Sequence, residues 1–247
     1  MIMNPKVIAL CVLHYGQDYL DAAIRSIDPF VEKIIILYSG DPSFGFYTPM
    51  QNPDVGSTLS QIAYNASSKV EWHNITSSAE NHHRGLINKF TEGYDGVLTF
   101  DADEVFEPED IQDFIDYCHT NQSRYYGVDG YVNFWKSFNH VCYDGFRPIR
   151  YENLHRISGQ DLNAKCRIYH FSCAQRMEIM EYKLEIHGHK REIRKGWLNM
   201  YKRWTPGAFV DKGLHLVSYD LWNAVDFDKN TLPLILKQHP NFNKYII

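Results

Sequence analysis

Asp101 and Asp103 follow an apolar strand in GVLTFDADEVFEPED, and their type and spacing suit metal chemistry. Residues i and i+2 of an extended segment point to the same side, so the two carboxylates can share one divalent cation as hard oxygen ligands. Eight Asp or Glu and no Lys or Arg occupy 101–116. Like charges crowded in this way repel unless a cation or solvent relieves them. A diphosphate and water would complete the shell of a Mg2+ or Mn2+ ion held there. Glu107, Glu109 and Asp110 have a plainer explanation as caps and dipole partners of a helix starting near Pro108. An EF-hand is excluded, because its sixth position would be Phe106 instead of Gly and its twelfth Gln112 instead of Glu.

The elements that must hold these carboxylates alternate in the first half of the chain. KVIALCVL, KIIILY, KVEWHNI and GVLTF read as strands, and helical patterns cover 18–30, 79–92 and 108–119, with a polar Gly/Pro/Ser stretch over 39–60. Strands separated by helices of this size predict right-handed βαβ units and a mainly parallel sheet. Ligands of such sheets bind beyond the carboxyl ends of the strands. Past residue 125 the texture becomes aromatic and extended in GVDGYVNFWKSF, FRPIRYENLHRI and AKCRIYHFS, which read as longer, antiparallel strands, and helical pattern returns over 176–204. The expected fold class is α/β: a Rossmann-type, mainly parallel sheet with an antiparallel, aromatic-rich C-terminal half. The change of texture near residue 125 divides what is expected to be one compact domain into a parallel half, 1–124, and a mixed half, 125–247.

Composition limits the functional classes. The 247 residues are 44% hydrophobic, 22% charged and 15% aromatic, which excludes disorder, collagen and coiled coil. Lys and Arg total 25 against 30 Asp and Glu, so nothing global points to nucleic acid or an anionic membrane. The apolar run before His14 is about seven residues, too short for a membrane span, and no small-residue cleavage site follows it. Five scattered cysteines without a C-x-x-C pair predict free thiols in a reducing, cytoplasmic setting, and the sequons at Asn65, Asn74 and Asn121 are chance matches in that setting.

The run AENHHRGLINKFTEGYDGVLTFDADEVF resembles the central block of family-2-like glycosyltransferases with the GT-A fold: a polar helix start, a helix, Gly-Tyr, a hydrophobic strand and D-x-D. VIALCVLHYGQDYLDAAIRSI and VEKIIILYSGDPS are similar to that family's first strand, first helix and second strand. The likeness covers residues 6–115 in order and spacing and is looser beyond 125. The strand end YHFS and the later His187 and His189 resemble small soluble, phage-type members, in which the setting would be a host cytoplasm.

The resemblance implies a metal-dependent transfer of sugar from a nucleoside-diphosphate sugar to an acceptor hydroxyl. Asp101, Ala102 and Asp103 match the D-x-D that holds Mn2+ or Mg2+ and, through it, the donor. His14, Tyr15, Gly16 and Asp41 stand where the first and second strands meet the nucleotide, and Asn81 and Arg84 at the polar helix start. YSGDPS replaces the usual paired acids, leaving the base undetermined. His170 is the candidate third metal ligand, with His187 and His189 as rivals; His189 is also a donor-side candidate. No Cys or His pair at metal spacing completes a zinc site with them. An inverting transfer needs a carboxylate base, for which Asp144, Glu152 and Asp161 are the available acids.

Tyr131, Phe134, Trp135, Phe138 and Tyr143 offer either a stacking platform or core. The segment 183–203 carries Lys183, Lys190, Arg191, Arg194, Lys195, Lys202 and Arg203 against two acids, interleaved with Trp197, Tyr201 and Trp204. It reads as a solvated helix face, or as a site for donor phosphates or for an anionic acceptor; a glycan and a hydroxymethylated DNA base both fit the acceptor role. Two other classes stay open. A sugar nucleotidyltransferase shares the sheet and the carboxylates but begins with a Gly-rich phosphate loop that HYGQDY does not supply. A nucleotide- or glycan-binding module would use the acids structurally, without catalysis.

Overall fold

The computed structural model describes residues 5–42, 48–76, 85–143, 145–211, 213–217 and 222–246. Strands β1 (Val7–Leu13), β2 (Lys33–Ser39), β3 (Val70–Ile75) and β4 (Gly96–Thr99) form a parallel sheet in the order β3-β2-β1-β4. β1 lies at its centre with six of its seven residues buried, which is why VIALCVL reads as an unbroken apolar run. Helix α1 (Leu20–Ile27) buries Leu20, Ala23, Ile24 and Ile27 against the sheet and ends at Asp28-Pro29, where proline cannot supply the next helical N–H. Helix α2 (Gly56–Ala66) emerges from the end of the stretch read as polar loop; its Leu59, Ala63 and Ala66 are buried at helical spacing. The helix expected over 79–92 ends, in the part that is described, as a single 3-10 turn, Leu86–Lys89.

The sheet continues into the second half. β8 (Ile149–Asn153) pairs antiparallel with β4, and β6 (Tyr125–Trp135) pairs antiparallel with β8 and then with β7 (His140–Cys142), beside the short β10 (Val225–Asp226). β9 (Leu162–Cys173) differs from the expectation: it runs parallel to β6 along the latter's other edge. The connection between them passes through β7 and β8, so β9 enters from the same end as β6. On its far edge β9 pairs antiparallel with β5 (Glu104–Phe106), which follows D-x-D directly. Register then sets Glu104 opposite His170, and His170 opposite Asn133, in one row across three strands. Helix α3 (Ile111–Thr120) follows β5. The helical pattern over 176–204 resolves into α4 (Met177–Ile186) and α5 (Trp197–Arg203), and α6 (Leu234–Lys237) lies near the C-terminus. Among the described residues no helix is long and apolar enough to cross a membrane, and all five cysteines are free thiols.

Candidate functional site

The carboxyl ends of β1, β2 and β4 surround a cavity of about 240 Å³. His14, Tyr15 and Gly16 enter it after β1, Ser39 and Asp41 at the end of β2, and Asp101, Ala102 and Asp103 after β4; His170, Gln175 and Lys183 close it from the second half. The structure thus brings together eight of the residues singled out by sequence. Asn81, Arg84 and Asp144 lie outside the described residues.

D-x-D is not extended here. Glu104 N–H donates to the Asp101 carbonyl at 3.0 Å, so 101–104 form a turn that sends the two carboxylates to different partners. Asp101 Oδ2 accepts from Arg150 Nη2 at 2.9 Å. Asp103 Oδ2 accepts from Gln175 Nε2 at 2.8 Å, while its Oδ1 stands 3.8 Å from His170 Nε2. Beneath the turn the fully buried Glu104 accepts from Arg150 Nε at 2.7 Å, Arg150 Nη2 at 2.5 Å and Tyr131 Oη at 2.5 Å. A bidentate guanidinium with a hydroxyl satisfies a carboxylate that would otherwise be costly to bury. Arg150 and Glu104 escaped the sequence reading. Glu104 lies next to D-x-D in the chain and was open to notice, but nothing in FRPIRYEN marks Arg150 as its partner.

His170 is positioned by the three-strand row. Its Nδ1–H donates to Asn133 Oδ1 at 2.7 Å, which leaves the Nε2 lone pair aimed at Asp103. Burial pushes the imidazole pKa down to about 4, against the opposing pull of Asp103, so the ring is neutral at neutral pH. Two electron-pair donors therefore face each other with no proton between them, an arrangement that a cation satisfies. That is the fit of Asp103 and His170 to a divalent ion. The three-ligand set expected from sequence is not assembled, because Arg150 takes Asp101; among the described residues no three His, Cys, Asp or Glu side chains converge as a metal-binding group.

The first loop is pinned by residues that carry no motif. Buried Asp54 accepts from the backbone N–H groups of Gly16 at 2.7 Å and Gln17 at 2.9 Å, and also binds Arg176, which holds Asp18 at 2.9 Å. Gly16 has φ +148, and a Cβ there would collide with that of Ala102. The first loop and the D-x-D turn are thus packed backbone to backbone, which requires glycine at 16 and a small residue at 102. His14 donates through Nδ1 to the Ser39 carbonyl at 2.8 Å and accepts at Nε2 from Tyr182 Oη at 2.8 Å. Burial lowers its pKa and favours this neutral ring.

A second, larger cavity of about 910 Å³ shares His170 and Lys183 with the first. Trp197, Trp222, Met180 and Leu184 supply apolar wall, and His187, His189, Glu192 and His215 supply polar wall. His189 belongs here, beside Glu192 at 3.2 Å, and not in the D-x-D cavity where sequence reasoning had set it. The five candidate aromatics divide. Phe134, Trp135 and Phe138 are core, whereas Tyr131 and Tyr143 line the larger cavity, with Tyr143 59% exposed. Of the candidate bases, Asp161 is on the surface, and Glu152 is held by Arg124 at 2.6 Å and lines a third cavity of about 240 Å³ that meets D-x-D only at Asp101. Three cations of the basic segment are engaged within the fold: Lys190 pairs with Glu185, Lys202 with Glu181, and Arg194 donates to the Gly213 carbonyl.

No family model matches this sequence, and no curated protein matches it. Among solved structures, a mycobacterial protein aligns at 14% identity and TM-score 0.38 over 52% of this chain and 41% of its own. TarS from S. aureus aligns at 11% identity and TM-score 0.37 over 51% of this chain and 21% of its own. Glucosyl-3-phosphoglycerate synthase from Mycobacterium tuberculosis, solved with Mg2+ and UDP, aligns at 16% identity and TM-score 0.36 over 51% of this chain and 44% of its own. Each alignment therefore spans about half of this chain and less than half of the solved one.

Proposed function

We propose that this chain is a glycosyltransferase that takes a nucleoside-diphosphate sugar in the smaller cavity and an acceptor hydroxyl in the larger one. The observation that carries this reading is the seam: a small acid-lined cavity at the carboxyl ends of three parallel strands opens, past His170 and Lys183, into a larger aromatic-walled cavity. Two substrates meeting end to end need such a layout. Asp103 and His170 would hold Mn2+ or Mg2+, and a bound divalent ion supplies Lewis-acid neutralisation of the leaving diphosphate. His14, Tyr15, Gly16 and Asp41 form the nucleotide wall. Arg150 holds Asp101 and the turn under the donor, and Asp54 holds the Gly16 loop over it.

In an inverting transfer the acceptor oxygen bonds to the sugar C1 as the C1–O bond to the diphosphate breaks, and a carboxylate takes the hydroxyl proton. Asp144 is the proposed base among the three acids, because Glu152 is held by Arg124 and Asp161 is on the surface. That cavity's aromatic wall suits a flat acceptor such as a sugar or a nucleobase. One observation favours a binding module instead: Arg150 engages Asp101 as a cation already would.

The test is thermal unfolding of wild type and Asp103→Ala with UDP, GDP, CDP and dTDP, each with and without Mn2+. The transferase reading expects one nucleotide to raise the wild-type midpoint only with Mn2+, and Asp103→Ala to lose that rise. A nucleotide-induced rise that survives Asp103→Ala would support the binding module.

A further inference from the structure

Lys183 differs from every other cation named in the site. Arg150 is held by Asp101 and Glu104, and Arg176 by Asp18 and Asp54. The partly buried ammonium of Lys183 donates to Ser172 Oγ at 2.6 Å and to the Ser172 carbonyl at 3.3 Å, and both acceptors are neutral. It sits at the seam, lining both cavities. An ammonium has three N–H donors, and Ser172 uses two. Among the described residues no carboxylate pairs with it, so its third donor is open to an anionic ligand.

We infer that Lys183 is the anion-binding residue of the cleft, taking a phosphoryl oxygen of the donor diphosphate where it separates from the sugar. The inference rests on the reading of the smaller cavity as a nucleotide-sugar site. A preorganised cation at the seam meets the charge that develops on the leaving oxygen as the C1–O bond breaks, and it needs no rearrangement to do so. Lys183 belongs to helix α4 and Ser172 to β9, so both are fixed by regular structure.

The experiment is isothermal titration of wild type, Lys183→Met and Lys183→Arg with inorganic pyrophosphate, with UDP, GDP, CDP and dTDP, and with the matching nucleosides, all in Mn2+. Thermal unfolding of the same proteins runs alongside. Lys183→Met is expected to lose at least about tenfold in affinity for pyrophosphate and for the preferred nucleotide, with nucleoside affinity unchanged. Lys183→Arg is expected to stay within a few-fold of wild type. A residue that merely braces Ser172 would lower the unliganded midpoint on substitution and leave anion affinity alone, which would overturn the inference. Equal pyrophosphate and nucleotide affinity in wild type and Lys183→Met overturns the inference while leaving the transferase reading intact. Lys183-dependent pyrophosphate binding with no nucleotide preference sustains the inference and removes the transferase reading. A wild type that binds none of these anions removes both.

Discussion

The two halves of the molecule bring opposite charges to one cleft. Asp18, Asp41, Asp54, Asp101, Asp103 and Glu104 all precede residue 125, while Arg150, Arg176 and Lys183 all follow it. The parallel half presents Asp41, Asp101, Asp103 and Glu104 beside strand ends, and Asp18 and Asp54 just ahead of α1 and α2. The mixed half answers with long cationic side chains and with His170: Arg150 on β8, His170 on β9, Arg176 just before α4 and Lys183 in its last turn. The cleft is therefore an electrostatic joint as well as a cavity. Its strongest links, Arg150 to Glu104 and Arg176 to Asp54, are those that cross between the halves.

The largest effect should come from cutting the most buried of these links. Arg150→Met leaves Glu104 at zero exposure with no cation beside it, and should destabilise the protein by about 3–5 kcal/mol. For a chain of this length that lowers the unfolding midpoint by about 10 °C. Adding Glu104→Leu should recover most of the loss, because an apolar pair tolerates the same space. If the double variant is no better than the single, the joint is not electrostatic.

A smaller loss is expected at the second link. Asp54→Ala strands the N–H groups of Gly16 and Gln17 together with Arg176, and should cost about 2–3 kcal/mol by denaturant titration. Its effect on nucleotide affinity should exceed that of Arg150→Met, because the loop it frees forms one wall of the smaller cavity. Equal nucleotide affinity in Asp54→Ala and wild type would show that the loop needs no mooring.

Next in size is Gly16→Ala, which strains a backbone at φ +148 and drives a methyl into Ala102, for about 1–3 kcal/mol. Pairing it with Ala102→Gly removes the collision but not the strain, so partial recovery of the midpoint is the expected result. No recovery would mean that the two loops are not in contact.

The smallest effect is on pH dependence. Burial, helped by Lys183, lowers the His187 pKa to about 4 from the ordinary 6.5. The unfolded chain then binds more protons than the folded one between pH 4 and 6.5, so stability falls as pH drops through that window. His187→Asn should flatten part of that slope in urea titrations at pH 4.5 and 7. A slope unchanged by the substitution would mean that other buried histidines, such as His14, carry it.

The parallel half was legible because its signals are local. An apolar run bounded by a helix at fixed spacing names a strand, and the strand end before Asp101 and Asp103 pointed to the smaller cavity, while His14 to Asp41 were placed there through the family resemblance. The local geometry of D-x-D was not legible, since a turn and an extended pair look alike until Glu104 N–H finds the Asp101 carbonyl. In the second half the decisive facts are long-range. That β9 lies parallel to β6, placing His170 beside Asn133 and Glu104, depends on which strand edge remains open after β7 and β8 have paired. Arg150 and Asp54 have no periodic or motif signal at all. They are identified by their partners, and those partners are 46 and 38 residues away.

The most direct test is crystallographic. Crystals grown with Mn2+ and the preferred nucleoside diphosphate, measured at the manganese edge, locate the ion without reference to any assumed ligand. The account predicts an anomalous peak bound by both Asp103 and His170, with the diphosphate between that ion and Lys183. A nucleotide seated in the cleft with manganese absent, or bound away from Asp103 and His170, would contradict it.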